Sequence, residues 1–159
     1  MPRRLDPDRH AAFQIVALAN RISASASRAY LRHFGIGVME WRCLALVART
    51  PGASANEIAQ LSSLDKSSVS RAVAALVAKG EVVTADDPSD SRRSLLTLTS
   101  TGERLHDRIL VASLEREGRL MAGLSEVDRD RLFALLAQLS SNMTLVDAHA
   151  PGPQGPDVA

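Results

Sequence analysis

The sequence predicts a mainly α-helical chain that carries one small β-hairpin. Three observations support this. Apolar residues recur at spacings of three and four through most of the 159 residues. Ala and Leu are abundant while aromatics make up only 3%, a balance that suits helices. One short stretch, SLLTLT at 94–99, instead alternates with period two behind a polar turn.

The first helix is expected over 8–33, where Phe13, Val16, Ala17, Asn20, Ala24, Ser27, Tyr30, Leu31 and Phe34 form one stripe. Gly35 and Gly37 break it. A second helix, VMEWRCLALVAR at 38–49, has only Glu40, Arg42 and Arg49 charged, so most of its circumference should be buried. Pro51 and Gly52 end it. A short third helix over 54–61 opens on a capping box, Ser54 with Glu57, and should turn Ile58, Ala59 and Leu61 inward. After the turn SSLDK comes a fourth helix over 66–79, N-capped by Asp65 and stopped at Lys79-Gly80. Its apolar face is Val69, Val73, Leu76 and Val77.

Strands are expected at 81–84 and 94–99, joined by DDPSDSRR. Ser100 with Glu103 and Ser125 with Asp128 read as further capping boxes. They open helices over about 101–122 and 126–147. The last helix carries the stripe Leu132, Leu135, Leu136, Leu139, Met143 and Val146. The Pro/Gly-rich tail 148–159 is expected to be disordered.

Composition narrows the function classes. The formal net charge is +1, so any positive surface must be local. Residues 1–33 hold Arg3, Arg4, Arg9, Arg21, Arg28 and Arg32 against Asp6 and Asp8, whereas 101–150 is net acidic. The single cysteine, Cys43, forms no disulfide within the chain and no zinc cluster. The start MPRRLDPDRH lacks the apolar segment of a signal peptide, so a reducing cytoplasm is the expected setting. His10, His33, His106 and His149 show no metal-ligand spacing. No phosphate loop, nucleophile elbow or paired carboxylates stand out, so neither an enzyme nor a cofactor is expected.

One constellation does carry chemistry. Opposite the apolar face of the helix at 66–79 lie Lys66, Ser67, Ser68, Ser70, Arg71, Ala74 and Ala78. That face is small, polar and basic near its N-terminus. It suits a DNA major groove, where bulky or acidic side chains would collide with bases or phosphates. The helix N-terminus adds partial positive charge. The hairpin follows at once, with Arg92 and Arg93 near its expected tip and Asp90 placed to orient a guanidinium. An arginine-bearing ribbon can enter a minor groove beside a helix in the major groove. Each feature alone also fits a solvated surface; their order along the chain is what points to a winged helix-turn-helix.

At this point the stretch from Ser54 to Gly102 resembles the winged helix-turn-helix of the MarR family of bacterial regulators. The resemblance rests on SANEIAQLSSLDKSSVSRAVAALVAKGEV and on DDPSDSRRSLLTLTSTG. The wing pattern falls on Asp87, Pro88, Asp90, Arg92, Arg93, Leu96, Leu98, Thr99 and Gly102. Glu81 departs from it, standing where an apolar residue is expected, and is placed at the strand edge. The resemblance implies dimerisation helices over 8–37 and 101–147 and a DNA-binding domain over 38–100, in a homodimer whose two recognition helices lie about one DNA turn, roughly 34 Å, apart. It also implies a repressor released from a pseudo-palindromic operator by an aromatic carboxylate or an aromatic acyl-CoA thioester. Tyr30, His33, Phe34, Met39, Trp41 and Arg42 are the candidate lining of the ligand pocket. Two alternatives stay open: a redox-sensing repressor using Cys43, and a helical dimerisation module that binds a protein partner.

Overall fold

The computed structural model describes residues 5–149, apart from the side chains of Ser91 and Arg92. Arg3, Arg4 and the tail from 150 onward, expected to be disordered, lie outside the described residues. Among the described residues a short 3-10 helix, Pro7–Arg9, is followed by six α-helices and one hairpin: α1 (Ala11–Phe34), α2 (Val38–Arg49), α3 (Ala55–Ser62), α4 (Lys66–Ala78), β1 (Val82–Asp87), β2 (Asp90–Leu98), α5 (Ser100–Leu120) and α6 (Glu126–Ala148). The chain forms two compact units, one running to Ser113 and the other starting at Leu114.

The first unit has its core where α2, α3 and α4 meet. Leu44, Val47, Ile58, Val69 and Leu76 are fully buried there, joined by Ile36, Leu96 and Ile109. The expected inward faces need two corrections. Leu61 is 47% exposed, because Ile58, Ala59 and Ser62 define the buried face of α3 and Leu61 sits more than a quarter-turn from its centre. On α4 the buried set is Val69, Ala72, Val73 and Leu76, which leaves Val77 at the exposed edge. Along α1 only Ala26 and Tyr30 are buried; Phe13, Val16 and Leu31 of the expected stripe are exposed. In the second unit α6 has no buried residue, and Phe133, Leu139, Met143 and Val146 stand in the open.

The hairpin is longer than its apolar pattern suggests. Its ladder runs antiparallel from Val82 opposite Leu98 to Asp87 opposite Asp90, with an irregularity between Asp86 and Asp87. Backbone groups alone make that ladder, so polar residues continue it. The turn shrinks to Pro88 and Ser89, whose N–H and Oγ–H both donate to Asp87 Oδ1, at 2.8 and 2.6 Å. The hairpin joins the helices through Leu96. Gly52 N–H donates to its carbonyl at 2.8 Å, and its own N–H donates to Ala53 O at 3.0 Å.

Beyond the hairpin, Thr99 rather than Ser100 caps α5. Gly102 N–H donates to Thr99 Oγ1 at 3.1 Å, and that hydroxyl lies 2.7 Å from Gly80 O. Glu81 precedes β1, half-buried, with its carbonyl accepting from Thr99 N–H at 3.0 Å. Gly102 packs so tightly on it that a Cβ there would lie 2.0 Å from Glu81 O. Only glycine fits this approach of two backbones. Gly102→Ala should therefore destabilise the chain by about 1–3 kcal/mol, as overpacking does. The expected readout is a lowered urea midpoint with an unchanged slope.

Candidate nucleic-acid interface

Helix α4 is held from both ends. Ahead of it, Ser54 and Glu57 close the expected capping box: Glu57 Oε2 accepts from Ser54 N–H at 2.8 Å, and Ser54 Oγ accepts from Glu57 N–H at 3.4 Å. Ser63 then takes a left-handed conformation, φ 53°, which ends α3 and starts the turn. Arg42 reaches across from α2 and donates from Nη2 to Ser62 O at 2.9 Å, so a cation meets the negative end of α3. At the far end of α4, Lys79 Nζ bonds Glu40 Oε1 at 2.5 Å and Gly35 O at 2.9 Å. Glu40 Oε2 in turn accepts from Gly37 N–H at 2.7 Å. The α1–α2 elbow is thus clamped to the end of α4.

Asp65 caps α4 as expected, accepting from Ser68 N–H at 2.8 Å and Ser67 Oγ–H at 2.6 Å. The Ser67 hydroxyl, then the Ser68 donors, hold its carboxyl well below the usual carboxylate range. Lys66, Ser67, Ser70, Arg71, Ala74 and Ala78 are exposed and Ser68 is half-buried, so the expected outward face exists. Arg71 Nη2 donates to Ser68 Oγ at 3.1 Å, which lays the guanidinium along the first turn.

On the hairpin the expectation needs revision. Arg93 is not at the tip but within β2. Its Nη2 lies 2.7 and 2.6 Å from the two carboxylate oxygens of Glu57. Its Nε faces Asp87 Oδ2 at 3.6 Å. Asp90 opens β2 and is exposed. The role of Glu57 toward the hairpin was not legible in the sequence. Its helix-start pattern accounts for it fully, and its partner lies 36 positions away.

The six residues expected to line a ligand pocket are Tyr30, His33, Phe34, Met39, Trp41 and Arg42. Tyr30 packs against both Phe34 and Trp41, 6.2 Å from each ring. His106 stacks on Trp41 at 5.5 Å and the Arg108 guanidinium covers Phe34 at 5.4 Å. His33 meets the edge of Phe34 at 6.4 Å from the exposed side of α1. Arg42 is committed to Ser62. Met39 borders an open cleft of about 340 Å³ with Ser27, Glu40, Ser68 and Arg71. Cys43 is fully buried, and burial pushes its thiol up to about 11, far from the thiolate that peroxide chemistry needs. Among the described residues no His, Cys, Asp or Glu group is placed to hold a metal, and no helix is long and apolar enough to cross a membrane.

A capped short helix, a turn, an exposed polar-basic helix and a hairpin docked beside it define a winged helix-turn-helix. The comparisons agree. The MarR family model matches residues 34–93. A MarR/EmrR family transcriptional regulator from Acinetobacter sp. ADP1 superposes with a TM-score of 0.83 at 33% identity, covering 89% of this chain and 99% of that one. The MepR–DNA complex from S. aureus shares the fold, with a TM-score of 0.75 at 22% identity over 84% of this chain and 98% of that one. A regulatory protein of Thauera aromatica, named for the hcr operon, is 33% identical over 60% of this chain, and the match spans 58% of its own length. The chain belongs to the MarR family, whose members are transcriptional regulators rather than enzymes.

Three carboxylates of this region titrate low. Besides Asp65, backbone and hydroxyl donors of Ser54 lower Glu57, and the Ser89 hydroxyl and N–H lower Asp87; Arg93 adds to both. Their contribution to stability is complete at neutral pH. It is lost as pH falls below the ordinary values of 4.5 for Glu57 and 3.8 for Asp65 and Asp87. The urea midpoint should accordingly fall as pH drops below about 4.5, and Asp65→Asn should flatten part of that fall.

Proposed function

We propose that the chain is a ligand-responsive transcriptional repressor that binds a pseudo-palindromic operator as a homodimer. The observation that carries this is the exposed face of α4, where serines and small residues surround Lys66 and Arg71 beside a docked hairpin. Lys66, Ser67, Ser68, Ser70 and Arg71 are assigned to the major groove and its phosphates. Arg92, with Asp90 near it in sequence, is assigned to the minor groove. The S. aureus relative was crystallised on DNA, which supports the assignment by analogy of fold.

Homodimerisation follows from uncovered apolar surface. Phe13, Ile15, Val16 and Leu18 on α1, and Phe133, Leu136, Leu139 and Met143 on α6, are all exposed in the single chain. Such faces are buried by a like partner in symmetric oligomers. The segments 8–37 and 101–147 are therefore assigned to dimerisation and 38–100 to DNA.

The effector is assigned to the aromatic carboxylates or their CoA thioesters, which release the repressor from DNA. A Streptomyces coelicolor regulator of this fold, PcaV, was solved with its natural ligand. For this chain the support is the cleft at Met39, which adjoins Arg71 and so couples occupancy to the reading helix. The burial of Cys43 speaks against redox sensing, and the serine-rich face of α4 against a protein partner there.

A labelled duplex of the DNA upstream of the chain's own gene tests the reading by gel shift. Wild type should bind with steep salt dependence. Arg71→Ala should weaken binding by about 1–3 kcal/mol, roughly 5- to 150-fold. Cys43→Ser should leave both affinity and peroxide response unchanged. Binding that survives Arg71→Ala at full strength would remove α4 from the interface. A thermal-shift series with benzoate-type acids and their CoA thioesters should raise the melting temperature of the chain, since a ligand of the folded state stabilises it.

A further inference from the structure

We propose that Arg93 is a positioning residue of the wing, anchored on Glu57, and not a DNA contact. The inference rests on the DNA-binding reading and assigns one of its arginines a different task.

A chain of polar contacts runs from the start of α3 to the hairpin turn. Glu57 Oε2 accepts from Ser54 N–H and Oγ–H at 2.8 and 2.9 Å. The same carboxylate takes Arg93 Nη2 on both oxygens, at 2.6 and 2.7 Å. Arg93 Nε faces Asp87 at 3.6 Å, and Asp87 holds Ser89 at the turn. Three residues from Arg93 along β2, Leu96 makes the two backbone bonds to residues 52 and 53. The hairpin root is therefore fixed by backbone and its outer half by a side chain. A ribbon held at its root alone can swing; a second attachment toward the turn sets its angle.

Charge argues against a phosphate partner at this point. One guanidinium stands between two carboxylates, so Glu57, Asp87 and Arg93 together carry a net formal charge of −1. A phosphate approaching Arg93 meets that surplus. Half-exposed ion pairs add little to stability, but a planar guanidinium whose Nη2 bridges both oxygens of Glu57 while its Nε faces Asp87 is fixed in direction.

The variants Glu57→Gln, Arg93→Gln, Arg93→Lys and the double Glu57→Gln/Arg93→Gln separate the two roles. Gln at position 57 keeps the helix cap and discards the charge that grips Arg93. If Arg93 positions the wing, Glu57→Gln weakens binding to the upstream duplex several-fold, Arg93→Gln does the same, and the double variant is no worse than either. Arg93→Lys fails to rescue, and the salt slope of Arg93→Gln stays at the wild-type value. If Arg93 touches DNA, Glu57→Gln removes a competing anion and tightens binding, and Arg93→Gln lowers the slope by about 0.9. Tighter or unchanged binding by Glu57→Gln, or that loss of slope, overturns the proposal. Amide hydrogen exchange over residues 83–91 tests it without DNA: faster exchange in both single variants supports the anchor, and wild-type exchange overturns it. A wild-type chain that binds no duplex would instead fail the DNA-binding reading, with the exchange result still deciding the anchor.

Discussion

Leu96 is where the hairpin stops being an appendage. A two-stranded ribbon is marginal in water by itself. Here its second strand buries Leu96 among the helices, and the backbone of that residue pairs with the α2–α3 connection. Much of the molecule is set by this junction. Strand β2 leads directly to Thr99, whose hydroxyl meets Gly80 at the end of α4 and caps α5. Gly102 then lets α5 begin against the Glu81 carbonyl. Two consecutive helices and the strand pair between them are thereby locked to one register.

The basic residues divide into those that tie elements together and those on the outer face of α4. Arg42 and Lys79 answer helix carbonyls and a carboxylate, while Arg93 answers Glu57. Lys66 and Arg71 lie on the outer face of α4. A chain of net charge +1 can in this way present a positive face without being basic as a whole. The serines of α4 hold local structure as well: Ser67 and Ser68 tie down Asp65, and Ser68 also receives Arg71.

Local rules made much of the fold legible. The caps at Ser54, Asp65 and Ser125 follow from residue type three positions ahead of a partner, and helix ends fall within a few residues of their punctuation. What escaped reading depends on distant pairs. The hairpin reaches farther than its apolar alternation because hydrogen bonds of the backbone carry no side-chain signature. Arg93 looked like a tip residue because nothing in its own neighbourhood names Glu57. The contacts of the aromatic group around Trp41 with α5, where His106 lies on Trp41 and Arg108 over Phe34, likewise join residues far apart in the chain. The stripe of α6 was readable as apolar, but only the folded chain shows that, among the described residues, none of that helix is buried.

That last feature bears on how much of the protein a cell must make. A 23-residue helix with no buried side chain has little to hold it beyond its own turns. If mates supply the cover, as proposed, a scarce newly made chain spends its first moments with sticky, poorly protected ends, open to chaperones and proteases. Gene dosage then sets more than the number of readers. Below the concentration at which copies meet, each chain is short-lived, so the pool of intact regulator should rise more steeply than its rate of synthesis.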